Sequence, residues 1–512
     1  MEETVKSDME IFQKLDQVYS GGRNQKIEIV TMDSKKKSGN IGDDFILFDF
    51  SDEETSAATE KDSDGDNPEL GDEATEAHGK RKGTESINGE RPANKKNSKM
   101  AAPEAALSAE AKKKLGKLFH SKAPWFPPHL RSGGPLELAE HYGFVTAPAA
   151  KRKHFAERLH QELSDLADYL SPTAAEAAAR SLVVKKCDTV VRKLFPGKKV
   201  ESFGSFETGL YLPTSDIDLV VISADGTLES SEDDQIRPPL RKLARALIKA
   251  GIADSRSLQV ISKARVPIIK FTDRLTGHPV DISFNIASGL DGARFLKEQL
   301  RIYPALRPLL LFLKLFLDLR GLNEVFRGGL GSFSAACLLI SFFQLHPLIQ
   351  LGYLRAEDNL GILLLEFLEL YGKLLHYEKV GISVGIDRKS AEISDIDAEY
   401  LSKIDVPYGY YDKMDRGFFN ESRPGLLSIQ DPQSPSNDLA RPSFSVSSVR
   451  QAFEHAFNLL TAAAHEIDQQ DDQGQGRGTY NRTDGSLLAA LIVIPEKFLK
   501  HREYITRTII TK

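Results

Sequence analysis

The sequence predicts an α+β fold: a mixed β-sheet flanked by helices, joined to a mostly helical second lobe and preceded by a long unstructured tail. Three observations predict it. Residues 198–290 alternate short apolar runs with helical patterns. Residues 291–465 are leucine-rich at helical spacing. Residues 1–105 are charged and poor in large apolar side chains, so they lack the apolar surface that would offset the entropy of ordering. The expected division is 1–105 as tail and 106–185 as an N-terminal helical segment packing with the central domain. Residues 186–292 form the sheet domain, 293–466 the helical domain, and 467–512 a linker and C-terminal segment.

The tail carries an acidic stretch from Asp52 to Glu76, then the basic clusters Lys80-Arg81-Lys82 and Lys95-Lys96. Two basic clusters with a short spacer read as a bipartite nuclear localisation signal, the bland reading being a solubilising tail. The apolar island from Ile41 to Phe50, flanked by acids, reads either as a docking motif that orders on binding or as a chance cluster. Past Lys112 the pattern turns helical, interrupted by Pro124-Trp125-Phe126-Pro127-Pro128, a rigid aromatic segment expected on the domain surface. Helices are expected over Leu159 to Leu170 and Thr173 to Phe195, with Ser171-Pro172-Thr173 as stop and N-cap.

The chemistry-bearing stretch is Phe203-Gly204-Ser205 followed by Ser215-Asp216-Ile217-Asp218-Leu219-Val220-Val221-Ile222. Carboxylates two apart share one face of a strand, and the apolar neighbours bury that strand. Paired carboxylates repel unless a cation lies between them. A Gly-Ser turn just upstream can present N–H groups to an anion. Together they point to metal-assisted nucleotidyl transfer. A lone Asp-x-Asp is weak on its own, since most are solvated turn carboxylates. Val266 to Phe271 and Pro279 to Phe284 read as a hairpin turning between Thr272 and His278, with Asp281 the expected third carboxylate. Ile236 to Gly251 is a basic amphipathic helix ended by its glycine.

In the second lobe, helices are expected over Arg307 to Arg320, Ser332 to Gln344, Leu360 to Leu375 and Ser447 to Glu466. Lys314 lies among leucines and phenylalanines, so it must snorkel or meet an anion. Gly328-Gly329-Leu330-Gly331-Ser332-Phe333-Ser334 opens a helix without the lysine of a P-loop. It is either a triphosphate-holding helix start or a plain capped helix. Leu427 to Arg441 is a loop in which Asn437 and Arg441 either read a base edge and a phosphate or make structural bonds. Gln469 to Asp484 reads as a loop, and Ser486 to Lys512 as helices packing back.

Composition bounds the rest. The net charge of −6 over 512 residues gives no global basic field, so nucleic acid must be met by local clusters. Two cysteines, Cys187 and Cys337, exclude a disulfide scaffold or cysteine-rich zinc site and suit a reducing compartment. No apolar run is expected to act as a signal peptide or to span a bilayer.

The strings ADYLSPT, FGSFETGLYLPTSDIDLVV, PVDISFN, LKLFLDLRGLNEVFRGGLGSFS and SIQDPQSPSNDLAR resemble the nuclear non-canonical poly(A) polymerases of the TRF type, within the polymerase β-like nucleotidyltransferase superfamily. The resemblance runs from Leu166 to Glu466. It implies a palm domain and a helical central domain with the PAP-associated segment. It implies template-independent transfer of AMP from ATP to RNA 3′ ends by two metal ions, Mg²⁺ or Mn²⁺, on Asp216, Asp218 and Asp281. Gly204, Ser205, Gly289, Lys314, Ser332 and Phe333 would then line the ATP site, Phe333 standing where relatives often carry a stacking tyrosine. Asn437 and Arg441 match the nucleotide-recognition loop. Related uridylyltransferases carry histidine in place of Asn437, so asparagine favours ATP. Ala440 and Pro442 replace a usual glycine and serine. The family also implies a zinc-knuckle RNA-binding partner and an RNA helicase in a TRAMP-like complex that tags RNAs for the nuclear exosome. The expected location is the nucleus or nucleolus, with no membrane. A terminal uridylyltransferase and a catalytically idle RNA-complex scaffold are the rival readings.

Overall fold

Apolar residues at Phe155, Leu159, Leu163, Leu166 and Leu170 recur at helical spacing and build one buried stripe along α1 (Phe155–Leu170). The computed structural model describes residues 124–125, 154–226, 233–264, 266–284, 287–386, 407–473 and 486–510. The charged tail, its basic clusters and the island from Ile41 to Phe50 lie outside the described residues. Ser171 and Pro172 end α1, and Thr173 starts α2 (Ala174–Leu194). The Thr173 hydroxyl accepts from the Glu176 amide while the Glu176 carboxylate accepts from the Thr173 amide.

The palm follows. β1 (Lys198–Ser202) leads through the short α3 (Gly204–Thr208) to β2 (Ile217–Ser223). α4 (Asp233–Lys249), β3 (Gln259–Ile261), β4 (Ile268–Thr272) and β5 (Pro279–Phe284) complete it. The sheet order is β1-β2-β5-β4-β3, with β2 and β5 parallel and every other pair antiparallel. The expected hairpin is present as β4 and β5, its turn closed by Asp273 N–H on the His278 carbonyl at 2.9 Å. β2 is buried along its whole length. Ile217, Leu219 and Val221 face a core built with Val183, Cys187 and Val191 of α2 and Leu240, Leu243 and Leu247 of α4. Val220 and Ile222 pack on the other face against Phe203. Asp218 alternates onto that second face, away from the helix-covered core.

The helical lobe begins with α5 (Ala287–Ile302) and α6 (Leu306–Asp318). α7 (Ser332–Leu345), the short α8 (Pro347–Gln350) and α9 (Leu360–Glu369) come next, α9 passing into a π-helical turn over Leu370–Leu374. A three-stranded sheet of β6 (Val380–Ser383), β7 (Gly409–Asp412) and β8 (Ile429–Gln430) is ordered β7-β6-β8. Its end is held to the helices by Gln299 of α5 and Gln344 of α7, which both donate to the Gly385 carbonyl, at 2.8 and 2.6 Å. α10 (Val446–Gln473) and, near the C-terminus, α11 (Glu496–Ile510) complete the chain. No described helix is long and apolar enough to cross a membrane.

Three expectations are corrected. α1 packs in the helical core, but α2 packs in the palm core, so the expected boundary at residue 185 falls inside a palm helix. The helix expected to stop at Glu466 continues to Gln473, through residues expected as a loop. Gln and Asp tolerate helix, and the first real breaker is Gly474. Trp125, expected on the surface, is 2% exposed within the helical core, because a large indole gains more from burial than the rigid Pro-rich chain around it resists.

Candidate active site

β2 and β5 run parallel in a register that sets Asp218 directly beside Asp281. Asp216 stands one residue before β2, and its carboxylate turns onto the same spot. One oxygen from each of the three carboxylates lies within 4.8 Å of the others. Asp218 and Asp281 are buried, and Asp216 is partly open. Burial, reinforced by the charges of Asp216 and Asp281, pushes the Asp218 carboxyl well above the usual carboxylate range, against the pull of Lys314 and Arg180. Lys270, opposite Asp281 on β4, brings its ammonium to 3.5 Å from that carboxylate. Lys270 is partly buried, and Lys314 and Arg180 also face the three acids from nearby. All the donors are hard oxygens, so the cluster fits a divalent cation of the Mg²⁺ or Mn²⁺ type.

The loop before β2 is held by an arginine the sequence reading missed. Arg180, fully buried in α2, donates to the carbonyls of Asp216 at 2.8 Å and Ser215 at 2.6 Å, and to those of Leu212 and Pro213 at 3.4 Å. Its guanidinium also stacks 4.1 Å from the Tyr211 ring, and burial lowers its pKa to about 10. A signal was present in the sequence: Arg180 continues the apolar stripe of Val183, Cys187 and Val191, where a charge needs a buried partner. Lys270 gave the same kind of signal among Ile268, Ile269 and Phe271.

The Gly-Ser turn is built against the carboxylates. Gly204 has φ +62°, and a Cβ there would lie 2.2 Å from Asp218 Oδ2, so both conformation and space demand glycine. Ser205 follows in the first turn of α3, partly exposed. Gly289 of α5 is buried, and a Cβ would meet the Phe203 ring at 2.6 Å. Its place is therefore to let α5 seat the residue before Gly204.

Lys314 of α6 meets the site from the helical lobe. Its ammonium donates to the Leu210 carbonyl at 2.8 Å, burial lowers its pKa to about 8, and Asp216 and Asp218 oppose that lowering. Expected to snorkel or meet an anion, the lysine bonds a backbone carbonyl, with the charges of Asp216 and Asp218 acting on it from nearby. The burial it requires is carried by its neighbours: each buried leucine of α6 contributes on the order of 2 kcal/mol.

Ser332 is exposed as the first residue of α7, whose N-cap Gly331 supplies no side-chain cap. Phe333 is half-buried with its ring edge-on to Phe295 at 6.2 Å. The loop after β8 reaches this helix start through Ser334 Oγ, which donates to the Leu439 carbonyl at 3.4 Å. Within that loop Asn437 is buried and donates from Nδ2 to Asp431 at 3.0 Å, while Arg441 is exposed. Asp438 accepts from the amides of Ile429 and Ala440, both at 2.9 Å. Lys413 of the β7 end fastens the preceding segment, donating to the carbonyls of Tyr377, Pro424 and Leu426 at 2.6, 2.9 and 2.7 Å. The structure therefore gathers Asp216, Asp218, Asp281, Gly204 and Lys314 into one cluster, and joins the loop of Asn437 and Arg441 to the helix start of Ser332 and Phe333 through Ser334.

Comparison with known proteins gives the chain's relatives. The family profile described as "Poly(A) RNA polymerase, mitochondrial-like, central palm domain" matches residues 159–298, and "Cid1 family poly A polymerase" matches residues 359–437. The chain is 39% identical over 350 residues to poly(A) RNA polymerase cid14 of Schizosaccharomyces pombe, covering 68% of this chain and 47% of that protein. It is 31% identical to the inactive non-canonical poly(A) RNA polymerase protein Trf4-2 of Drosophila melanogaster, covering 68% of this chain and 76% of the relative. Among solved structures, the polymerase core of TRAMP, an RNA surveillance complex, matches with a TM-score of 0.55 at 34% identity, over 67% of this chain and 96% of that one. The chain spans about half the length of several of the curated relatives it matches.

Proposed function

Because the chain belongs to the Trf4/Cid14-type family of non-canonical poly(A) RNA polymerases, we propose that it is a polynucleotide adenylyltransferase that adds AMP from ATP to RNA 3′ ends. The observation that carries the proposal is the acidic triad: family membership alone is shared with a relative named inactive, and the three convergent carboxylates of this chain could hold a metal ion. Divalent cations bound there would lower the pKa of the RNA 3′-hydroxyl and offset charge on the triphosphate and leaving pyrophosphate. The chain's own residues do the rest. Gly204 and Ser205 offer backbone and hydroxyl groups to the triphosphate, with Lys314 and Ser332 as further anion contacts. Phe333 stacks on the base. Asn437 and Arg441 read the nucleotide from the loop after β8, where an asparagine in place of histidine favours ATP.

We extend the reading to partners and place. The polymerase core of TRAMP is the basis for proposing a TRAMP-like complex. The tail's basic clusters support a nuclear location. A zinc-knuckle RNA-binding subunit and a helicase would supply RNA contacts, and the tailed RNA would pass to the nuclear exosome.

The test is extension of a labelled RNA primer with each of the four triphosphates in Mg²⁺ or Mn²⁺, with and without a zinc-knuckle partner, beside Asp216→Ala/Asp218→Ala. ATP-dependent extension lost in the double variant is the expected result. Preference for UTP would move the chain to the uridylyltransferases, and no extension under any condition would favour an idle scaffold. Asn437→His is expected to shift the ATP-to-UTP ratio of kcat/KM toward UTP by roughly 10- to 100-fold.

A further inference from the structure

The segments that carry Asp216 and Asp281 are backed from two sides. α2 supplies Arg180, described above. The other side is α11. His501 lies edge-on to His278 at 4.6 Å, at the turn that leads into β5, the strand of Asp281. Beside it, Arg502 donates to Glu176 at 3.0 Å, to the carbonyls of Leu170 and Ser171 at 3.2 and 3.0 Å, and to that of Tyr169. Glu176 is 1% exposed and is the residue that closes the cap of α2, one helical turn before Arg180. Ile505 is fully buried, and Tyr504 donates to the Leu275 carbonyl at 2.8 Å, so the helix is seated along its length.

We propose that α11 is a buttress of the metal site, with Arg502 and His501 as positioning residues that fix the segments presenting Asp216 and Asp281. Arg502 acts by pinning the first turn of α2, and through it the guanidinium of Arg180. His501 acts on the His278 turn, and through it on the start of β5. Neither touches substrate or cation. The geometry gives a reason for an arginine at this place: one guanidinium bonds the last carbonyls of α1 and the capping carboxylate of α2 together, a fork that a lysine ammonium cannot reproduce. The proposal rests on the metal-site reading above and adds to it a residue set outside the matched palm and PAP-associated segments.

Outer supports of metal ligands, when removed, weaken metal affinity about 10- to 100-fold. The experiment is Mn²⁺ titration of the full chain by electron paramagnetic resonance, paired with the Mn²⁺ dependence of primer extension. It compares wild type, Arg502→Ala, Arg502→Lys, His501→Ala, Arg507→Ala on the exposed side of α11, and Asp216→Ala/Asp218→Ala. Arg502→Ala is expected to bind Mn²⁺ about 10-fold or more weakly. It should lose kcat while KM for RNA is held, with Lys restoring only part, and Arg507→Ala should match wild type. His501→Ala removes one ring and carries the same expectation at smaller size, so it decides the matter should Arg502→Ala fail to fold. Mn²⁺ affinity equal to wild type in both Arg502→Ala and His501→Ala would overturn the buttress while leaving the metal site standing. Unchanged Mn²⁺ binding in the double aspartate variant would overturn the metal-site reading and the buttress with it.

Discussion

Asp218 has been placed where an ionised carboxylate is at its least stable, under the backbone of Gly204 and beside two other acids. Its raised pKa is the physical record of that. Asp218→Asn keeps the shape and removes the charge, so metal-free protein carrying it should melt at the wild-type temperature or above. Activity should fall on the order of 10³-fold, the several kcal/mol that a metal supplies to charge development. Differential scanning fluorimetry in chelator beside primer extension checks both halves. The pH dependence follows from the same shift. A folded-state pKa above the unfolded one means the native chain holds the extra proton, so this group's contribution is fully present below the ordinary carboxylate value. It is lost as pH rises through the raised one. A cation needs the ionised form, so the rise in Tm produced by saturating Mn²⁺ should grow as pH rises above the ordinary carboxylate range toward the raised pKa. A Mn²⁺ effect that shrinks over that window would contradict the assignment. Gly204→Ala should combine a strained φ with a collision on Asp218, costing on the order of 1–3 kcal/mol.

At the scale of elements, what could be read from the sequence was what local pattern determines. β2 was legible from its apolar run Leu219 to Ile222, and the β4–β5 hairpin because Asp, Gly and Thr between two apolar runs specify a turn. α7 was legible from the glycines that precede it. The course of α10 past Glu466 was not, since a polar helix and a polar loop share the same residues until a glycine intervenes. The packing of elements was less legible still. α9 crosses α1 so closely that a Cβ on Gly361 would lie 2.3 Å from the Ala156 carbonyl. Gly361→Val is therefore expected to destabilise the fold by about 1–3 kcal/mol through forced separation of the two helices. Chemical denaturation should show it as a lower midpoint, while nucleotide preference among the surviving folded molecules stays as in wild type.

Over the whole molecule, the carboxylate triad was visible in the sequence because register alone brings Asp218 and Asp281 together once β2 and β5 pair. Of its supports, Lys314 stood out as a charge in an apolar run and Arg180 carried the same signal. Their partners and the role of Arg502 were not legible, because all three act on backbone carbonyls supplied by remote segments and a carbonyl leaves no trace in residue type. The same remoteness shapes the helical core, which takes α1 from before the palm and the rest from after it. Glu162 of α1 is fully buried in that core, and its carboxylate accepts from Ser486 Oγ and from the amides of Leu487 and Leu488 at 2.6, 2.8 and 3.1 Å. Until residues 486–488 have emerged from the ribosome, that carboxylate lacks these three donors. The order of synthesis thus withholds the closed helical lobe, and with it Lys314 beside the active site, from a nascent chain in which those residues have not yet been made.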